Sequence, residues 1–281
     1  MTTTDSILEG ILKQWLSKSL RVPVSEMSDG ITSLVTIKQD EMDEPWLGYS
    51  PCPPLRAVRI GSSTVISARE EWIDDLRKLA GLLHPDILFS TFGAYELARV
   101  TLPHGVAVWG PDYYLFGDER TVKRNEDSRV SYLEPSDLVD IDYSIFWHCR
   151  SNSLAGFAVF DNETLVALAT VWPIGDPFFE IGMDVLPNAR GNGLGGAVVG
   201  AAARWILSQG KIVAASAAPF NTPSLRTLRS VGLTYVFSKM KGLEGPMKLG
   251  PQQLGVPLPH TPVYNYYPDW AMNRAILPRE K

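Results

Sequence analysis

A glycine-rich stretch is the part of this sequence whose residue types most clearly indicate chemistry. This glycine turn runs from Arg190 to Gly196, Arg-Gly-Asn-Gly-Leu-Gly-Gly, after an apolar run that stops at Pro187 and before a helical pattern from Ala197 to Ser208. The first turn of a helix leaves backbone N–H groups unpaired, and glycines let a ligand approach that backbone closely. The stretch therefore predicts a phosphate-binding site.

Two classes of cofactor use such a turn. Gly191, Gly193 and Gly196 have the GxGxxG spacing of a dinucleotide fingerprint, which also needs an acidic residue about 20 positions later to bind a ribose. No Asp or Glu stands between Asp184 and Glu244, whereas seven Lys and Arg residues do. This local excess of positive charge fits several phosphates better than a ribose diol. The missing acidic residue weakens the interpretation of this protein as a dinucleotide-dependent oxidoreductase.

The same residues fit a second pattern. Arg190 to Gly195 has the form (Arg/Gln)-x-x-Gly-x-(Gly/Ala), and a further element, Asn221-Thr-Pro-Ser-Leu-Arg-Thr-Leu-Arg-Ser-Val-Gly-Leu, follows it. Together these elements resemble the acetyl-coenzyme A (acetyl-CoA) signature of the GCN5-related N-acetyltransferases, the GNAT family. Glu180-Ile-Gly-Met-Asp combined with Asn221-x-x-Ser is similar to a bacterial group of these enzymes that carries an extra N-terminal half.

The resemblance implies how acetyl-CoA would bind. Backbone N–H groups of the glycine turn would hold the pyrophosphate, and the strand before the turn would pair with the pantetheine arm. The N–H of Val185 is then the candidate that stabilises the oxyanion, and Asn221 either contacts pantetheine or caps its helix. The implied cofactor-binding residues are Met183, Asp184, Val185, Arg190, Gly191, Asn192, Gly193, Leu194, Gly195, Gly196, Asn221 and Ser224.

Two side chains are candidates for proton transfer. The acceptor amine must lose a proton, and Glu180 is a carboxylate that interrupts a strand of apolar residues; the alternative is that it faces solvent. Many GNAT enzymes have a tyrosine seven residues after the asparagine to protonate the leaving thiolate, but that position is Leu228 here. Ser224 stands where a subset resembling ribosomal-protein acetyltransferases has a serine in this role. We predict catalytic roles for Glu180 and Ser224, and no metal ion.

These residues need a strand before the glycine turn and a helix after it. Hydrophobic patterns predict strands at 154–160, 165–172, 178–185, 212–217 and 233–239, with helices at about 194–208 and from Asn221 to near Gly232. The expected class is α/β (α+β), with a GNAT-like mixed sheet at 129–281 that has splayed central strands and a Pro/Tyr-rich tail. A smaller mixed α/β domain at 1–128 precedes it; a decayed acetyltransferase-like half is one interpretation of that domain.

Composition narrows the classes of partner. The chain of 281 residues has 26 basic and 31 acidic residues, a net charge of −5, so an acidic body surrounds the basic stretch at 185–243. This argues against nucleic acid and for an amine-bearing substrate. No apolar run approaches the ~20 residues of a membrane span, and the first residues lack the basic start of a signal peptide. We expect a cytoplasmic protein without a membrane partner, as a monomer or homodimer.

The sequence thus predicts an acyl-CoA dependent N-acyltransferase. It would move an acetyl group directly from acetyl-CoA to an amine on a small molecule or a peptide. The alternative is a non-catalytic acyl-CoA binding or regulatory protein, which agrees with the leucine at position 228.

Overall fold

The described residues of the computed structural model are 5–27, 32–37, 52–124 and 126–244. By their contacts they fall into two units. The first unit takes the described residues up to Asp112 and those from Phe237 onward, and the second takes Tyr113 to Val236.

The first unit combines helices with an antiparallel hairpin. Its elements are α1 (Asp5–Leu20), β1 (Thr32–Ile37), β2 (Leu55–Ile60), β3 (Ser63–Arg69), α2 (Ile73–Leu82), α3 (Pro85–Leu88), α4 (Thr91–Thr101) and the first residues of β4 (Val106–Gly117). β2 and β3 pair antiparallel, and β1 pairs with β3 in parallel. Alternate residues of the hairpin, including Ala57 and Ile66, are buried with apolar residues of α2 and α4 such as Leu76 and Leu97. Burial of these side chains stabilises the unit.

The second unit contains the remaining elements. They are the end of β4, β5 (Ser131–Leu133), β6 (Ala155–Asp161), β7 (Thr164–Gly175), β8 (Phe178–Val185), α5 (Leu194–Ser208), β9 (Ile212–Ala217), α6 (Thr222–Val231) and the start of β10 (Thr234–Glu244). Its strands follow the order β4, β9, β8, β7, β6 and β5. The pair of β8 and β9 is parallel, and the other neighbouring pairs are antiparallel. The sequence prediction is therefore confirmed for β6 to β9, α5 and α6 to within three residues.

An apolar core lies between helix α5 and the sheet of the second unit. Helix α5 is rich in Ala, Val and Gly, and its Val198, Ala202 and Ile206 are fully buried against β6, β7 and β8. Small side chains let a helix approach a sheet closely, so α5 and the sheet pack along most of the helix length. This packing fixes where the N-terminus of α5 lies relative to the end of β8.

The two central strands diverge. β8 pairs with β9 from Phe178 to Glu180, and the pairing stops there although β8 continues to Val185 and β9 to Ala217. The last residues of β8 consequently have a strand neighbour, β7, on one side and an open edge on the other. The expected class, a mixed α/β protein with splayed central strands, is confirmed.

The domain boundary expected at 128/129 stays a prediction, and the contacts divide the chain elsewhere. Residues Tyr113–Gly117 of β4 pair with β9 in the second unit, and Phe237–Lys241 of β10 pair with β2 in the first. A cut at 128/129 would remove a strand that pairs with β9. The predicted Pro/Tyr-rich tail at 245–281 lies outside the described residues. Within the described ranges, no helix is both long and apolar enough to span a membrane.

Candidate active site

The glycine turn joins β8 to α5. Gly191 has a φ of 83° and Gly193 a φ of 74°, conformations that residues with a Cβ rarely adopt. A Cβ built at either glycine meets no atom within 4 Å, so space for a side chain is not the reason for glycine here. Backbone conformation requires these two glycines, and their small size leaves the backbone accessible.

The N-terminus of α5 presents backbone N–H groups. The first amide bonded within the helix is Ala197 N, which donates to Gly193 O at 3.1 Å. The amides of Leu194, Gly195 and Gly196 precede it, so the helix provides them with no acceptor. The first turn of α5 also has no acidic residue. The positive end of this 15-residue helix is suited to an anion.

Arginine side chains fix the glycine turn in place. Arg190 Nε donates to the backbone oxygen of Val185 at 3.0 Å, so this arginine ties the turn to the end of β8. Arg129 donates from its guanidinium to Asn192 O at 3.1 Å and forms an ion pair with Asp127 at 2.6 Å. The hydrogen bonds from Arg129 lower the pKa of Asp127 to about 2. No local pattern in the sequence indicated Arg129, which lies 63 residues from Asn192.

A cavity of about 370 Å³ lies beside the first turns of α5. Glycine occupies two of the α5 positions that line it, Gly196 and Gly200, which leaves room against the helix backbone. Lys123 and Arg204 contribute positive charge to its wall, and Ser230 contributes a hydroxyl group. The remaining lining residues are Glu126, Asp127, Ala197 and Val231.

The open edge of β8 carries backbone N–H groups that do not pair with β7. Leu186 N donates to Val166 O of β7 at 2.9 Å, and the register places Asp184 opposite Leu168. Because N–H groups alternate along a strand, those of Met183 and Val185 point away from β7, toward the open edge. This is the edge where the resemblance places pantetheine.

The two faces of β8 differ in chemistry. Ile181 and Met183 pack in the core under α5. Glu180 and Asp184 lie on the other face, where Glu180 is 5% exposed and accepts a hydrogen bond from Ser216 Oγ of β9 at 2.7 Å. The alternative of a solvent-facing Glu180 does not agree with this burial.

Asp184 has a partner that the sequence analysis did not find. Its carboxylate accepts a hydrogen bond from His148 N at 2.7 Å and contacts His148 Nδ1 at 2.7 Å. The His148 segment crosses β8 at Gly182, where a Cβ would overlap the backbone oxygen of His148. The two residues are 36 positions apart, so spacing along the chain gave no signal.

Helix α6 positions the other predicted residues. Asn221 Oδ1 accepts a hydrogen bond from Ser224 N at 3.3 Å, so Asn221 caps the helix, one of the two roles expected for it. Ser224 is partly buried in the first helical turn. Leu228 is 3% exposed and belongs to the apolar core. The position that is often tyrosine in the family therefore serves packing in this chain.

Comparison with known proteins identifies a protein family that part of this chain matches. Residues 122–233 match the family described as Acetyltransferase (GNAT) family. Residues 122–233 thus match the family that the resemblance predicted. Among curated proteins, none matches this chain.

Several solved structures are similar at low identity. The structure of a protein from Novosphingobium aromaticivorans, described as an acetyltransferase from the GNAT family, is 18% identical over 50% of this chain and 67% of that chain, with a TM-score of 0.43. A GNAT acetyltransferase from Colwellia psychrerythraea is 12% identical over 48% and 56%, with a TM-score of 0.40. A Salmonella typhimurium protein solved with its cofactor acetyl-CoA is 14% identical over 41% and 92%, with a TM-score of 0.32. This chain thus spans little more than half of the Colwellia protein.

Proposed function

We propose that the protein is an acyl-CoA dependent N-acyltransferase that moves an acetyl group from acetyl-CoA to an amine. The observation that carries this proposal is the combination of two features within one unit. The open N-terminus of α5 offers amides to a pyrophosphate, and the open edge of β8 begins just before the same turn. One extended ligand that carries both phosphates and amide groups would use both features.

The chain's residues fit such a cofactor. The amides of Leu194, Gly195 and Gly196 would bind the pyrophosphate. At the open edge of β8, the backbone N–H and C=O of Met183 would pair with the amides of the pantetheine arm, as an added strand does. The cavity beside α5 is lined by Lys123, Arg204 and Ser230 and also by the acidic Glu126 and Asp127, and it would accept a further part of the cofactor, with its phosphate toward the two basic residues.

The bound cofactor supplies the acetyl group as a thioester. At the end of β8, the N–H of Val185 would donate to the thioester oxygen as negative charge develops there. Ser224 is the proposed proton donor to the departing thiolate, and the base role of Glu180 stays a prediction. Two carboxylates on one face of β8, those of Glu180 and Asp184, favour a cationic acceptor, either a small-molecule amine or a peptide amine.

A second candidate function is non-catalytic acyl-CoA binding or regulation. The buried leucine at position 228 favours it, because this position provides no proton donor. Release of free thiol from acetyl-CoA in the presence of an amine panel separates the two functions. A binding protein would retain the cofactor without amine-dependent thiol release.

Replacement of Gly193 tests the cofactor site. Gly193→Val forces a branched side chain into a left-handed conformation and places it in front of the α5 amides. We expect CoA affinity, measured by calorimetry, to fall about 10- to 100-fold, with no binding of NAD by the wild type.

Gly210→Val is a matched control, because Gly210 has a similar φ of 68°, equal free space and a place beyond the opposite end of α5. This control should bind CoA as the wild type does. Equal CoA affinity of the Gly193→Val variant would remove the cofactor assignment.

A further inference from the structure

His148 and Asp184 form a polar pair to which the reaction above assigns no part in proton transfer. Both oxygens of the Asp184 carboxylate are used, one by the backbone N–H of His148 and the other by its ring nitrogen Nδ1, each at 2.7 Å. Two contacts to one residue fix both the position of the backbone and the orientation of the imidazole ring.

Neighbouring residues hold this segment on the sheet. Gly182 leaves the space that the His148 carbonyl occupies. The next residues add contacts: Cys149 is buried, Arg150 N donates to Thr170 Oγ1 at 3.0 Å, and the Arg150 guanidinium lies 4.0 Å from the centre of the Trp172 ring. The pair is therefore a built arrangement, with contacts on both β7 and β8.

The partners of the ring determine its protonation pattern. A carboxylate accepts hydrogen bonds, so the neutral imidazole keeps its proton on Nδ1, and Nε2 is then the basic nitrogen. The side chain of His148 is 48% exposed and that of Asp184 is 19% exposed. A half-exposed ring with Nδ1 held by a carboxylate is suited to accept a proton at Nε2.

The pair lies next to the proposed reaction centre. Asp184 directly precedes Val185, whose N–H points to the open edge of β8. We propose that His148 is the base that accepts the proton of the acceptor amine, and that Asp184 is the positioning residue that holds the ring and stabilises the imidazolium. This inference rests on the N-acyltransferase function proposed above.

The proton balance is complete without a further reagent. The amine nitrogen bonds to the acyl carbon, and the carbon–sulfur bond breaks with its electron pair left on sulfur. The proton from nitrogen moves to His148 Nε2 and later to water. The thiolate is protonated by Ser224 or by solvent.

His148 differs from Glu180 in access. Glu180 is 5% exposed and its carboxylate already accepts the Ser216 hydroxyl proton. An amine that arrives from solvent meets the half-exposed imidazole without displacing a buried hydrogen bond. The structure thus favours His148 over Glu180 as the residue that the amine contacts.

The hydrogen bond to Asp184 raises the pKa of His148 above its ordinary value of 6.5, and burial opposes this shift. The other titratable or charged groups on this segment and on the strands under it are Glu180 on the same face of β8, Arg150 over Trp172 of β7, and Cys149, whose thiol pKa is raised by burial and whose charge would act on Tyr143. A base must be neutral to act. The rate should therefore rise as pH increases through the raised pKa of His148.

Three variants of the full chain test the proposal with acetyl-CoA and a reactive amine. His148→Asn keeps an amide N–H that can reach Asp184 but removes the base. We expect kcat/KM near pH 7.5 to fall about 10²- to 10⁴-fold, CoA affinity to stay unchanged, and the acidic limb of the pH–rate profile to flatten. Asp184→Asn should lower the rate and shift the acidic limb to lower pH. Glu180→Gln should keep that limb.

His84 provides a matched control in the first unit. Its Nδ1 lies 3.4 Å from Asp86 in an exposed pair, and it caps α3 by accepting from Asp86 N. His84→Asn removes an imidazole beside a carboxylate and keeps a residue that caps helices well, so its rate and pH profile should match those of the wild type.

The outcomes distinguish the base from the function itself. Wild-type rates and an unchanged acidic limb in His148→Asn would overturn the role of His148, and loss of the limb in Glu180→Gln would assign the base to Glu180 instead. If His148→Asn fails to fold, the profile of Asp184→Asn decides, and an unshifted limb overturns the proposal. Absence of thiol release by the wild type with every amine would overturn both the base and the transferase.

Discussion

The two faces of β8 show how one strand serves two purposes. On the face toward α5, Phe179, Ile181 and Met183 pack against apolar side chains, among them Trp205. On the opposite face, Glu180 and Asp184 make hydrogen bonds to residues from β9 and from the His148 segment. Successive residues of a strand point to opposite sides, so these two environments are separated by the thickness of one backbone.

The two faces of β8 have different roles within the second unit. The apolar face anchors the strand, and with it the glycine turn that follows. On the polar face, Glu180 and Asp184 are positioned by hydrogen bonds to Ser216 and His148. This face is the one for which we propose a part in the reaction. Substitutions of adjacent residues on opposite faces should therefore have different consequences.

Gly182→Ala should have the largest effect on catalysis. The added Cβ would overlap the carbonyl oxygen of His148 and must displace that segment from β8. Loss of the base from its position should lower kcat/KM about 100-fold or more and flatten the acidic limb, which steady-state kinetics across pH would measure. A matched control is Gly81→Ala in α2, where a Cβ meets no atom within 4 Å. Retention of full activity by the Gly182→Ala variant would contradict the proposed importance of the polar face.

Ile181→Ala should act on stability instead. Ile181 is 4% exposed in the core under α5, so its truncation removes buried methyl groups and leaves a cavity. We expect the free energy of unfolding, measured with denaturant, to fall by about 2–5 kcal/mol. Where the variant is folded, its acidic limb should match that of the wild type. A change in the limb without a loss of stability would show that the two faces are not independent.

Ser224→Ala should have the smallest effect. Ser224 is the proposed proton donor to the thiolate, but a thiol with a pKa of about 8.5 is a tolerable leaving group without assistance. We expect kcat to fall about tenfold or less, with helix α6 intact because its cap uses the backbone N–H of Ser224. Measurement of kcat at saturating acetyl-CoA checks this, and an unchanged value would assign thiolate protonation to solvent.

The sequence determined the parts of this protein that depend on neighbours along the chain. Alternation of apolar residues predicted β6 to β9, and the glycine turn followed by a helical pattern predicted the N-terminus of α5 after β8. Asn221 and Gly232 marked the ends of α6, since caps are local hydrogen-bond and backbone requirements. The resemblance to the GNAT family was recognisable from these local features.

Tertiary structure decided what residues distant along the chain do. Glu180 accepts a hydrogen bond from Ser216, Arg129 supports the glycine turn, and His148 pairs with Asp184. Each of these contacts joins residues 36 or more positions apart. The sequence also did not predict that β4 and β10 are each divided between the two units. The residue pattern of a strand does not determine which other strand it pairs with. A sequence pattern reports the periodicity of burial, whereas contacts across a sheet depend on register and packing, which form only when the chain has folded.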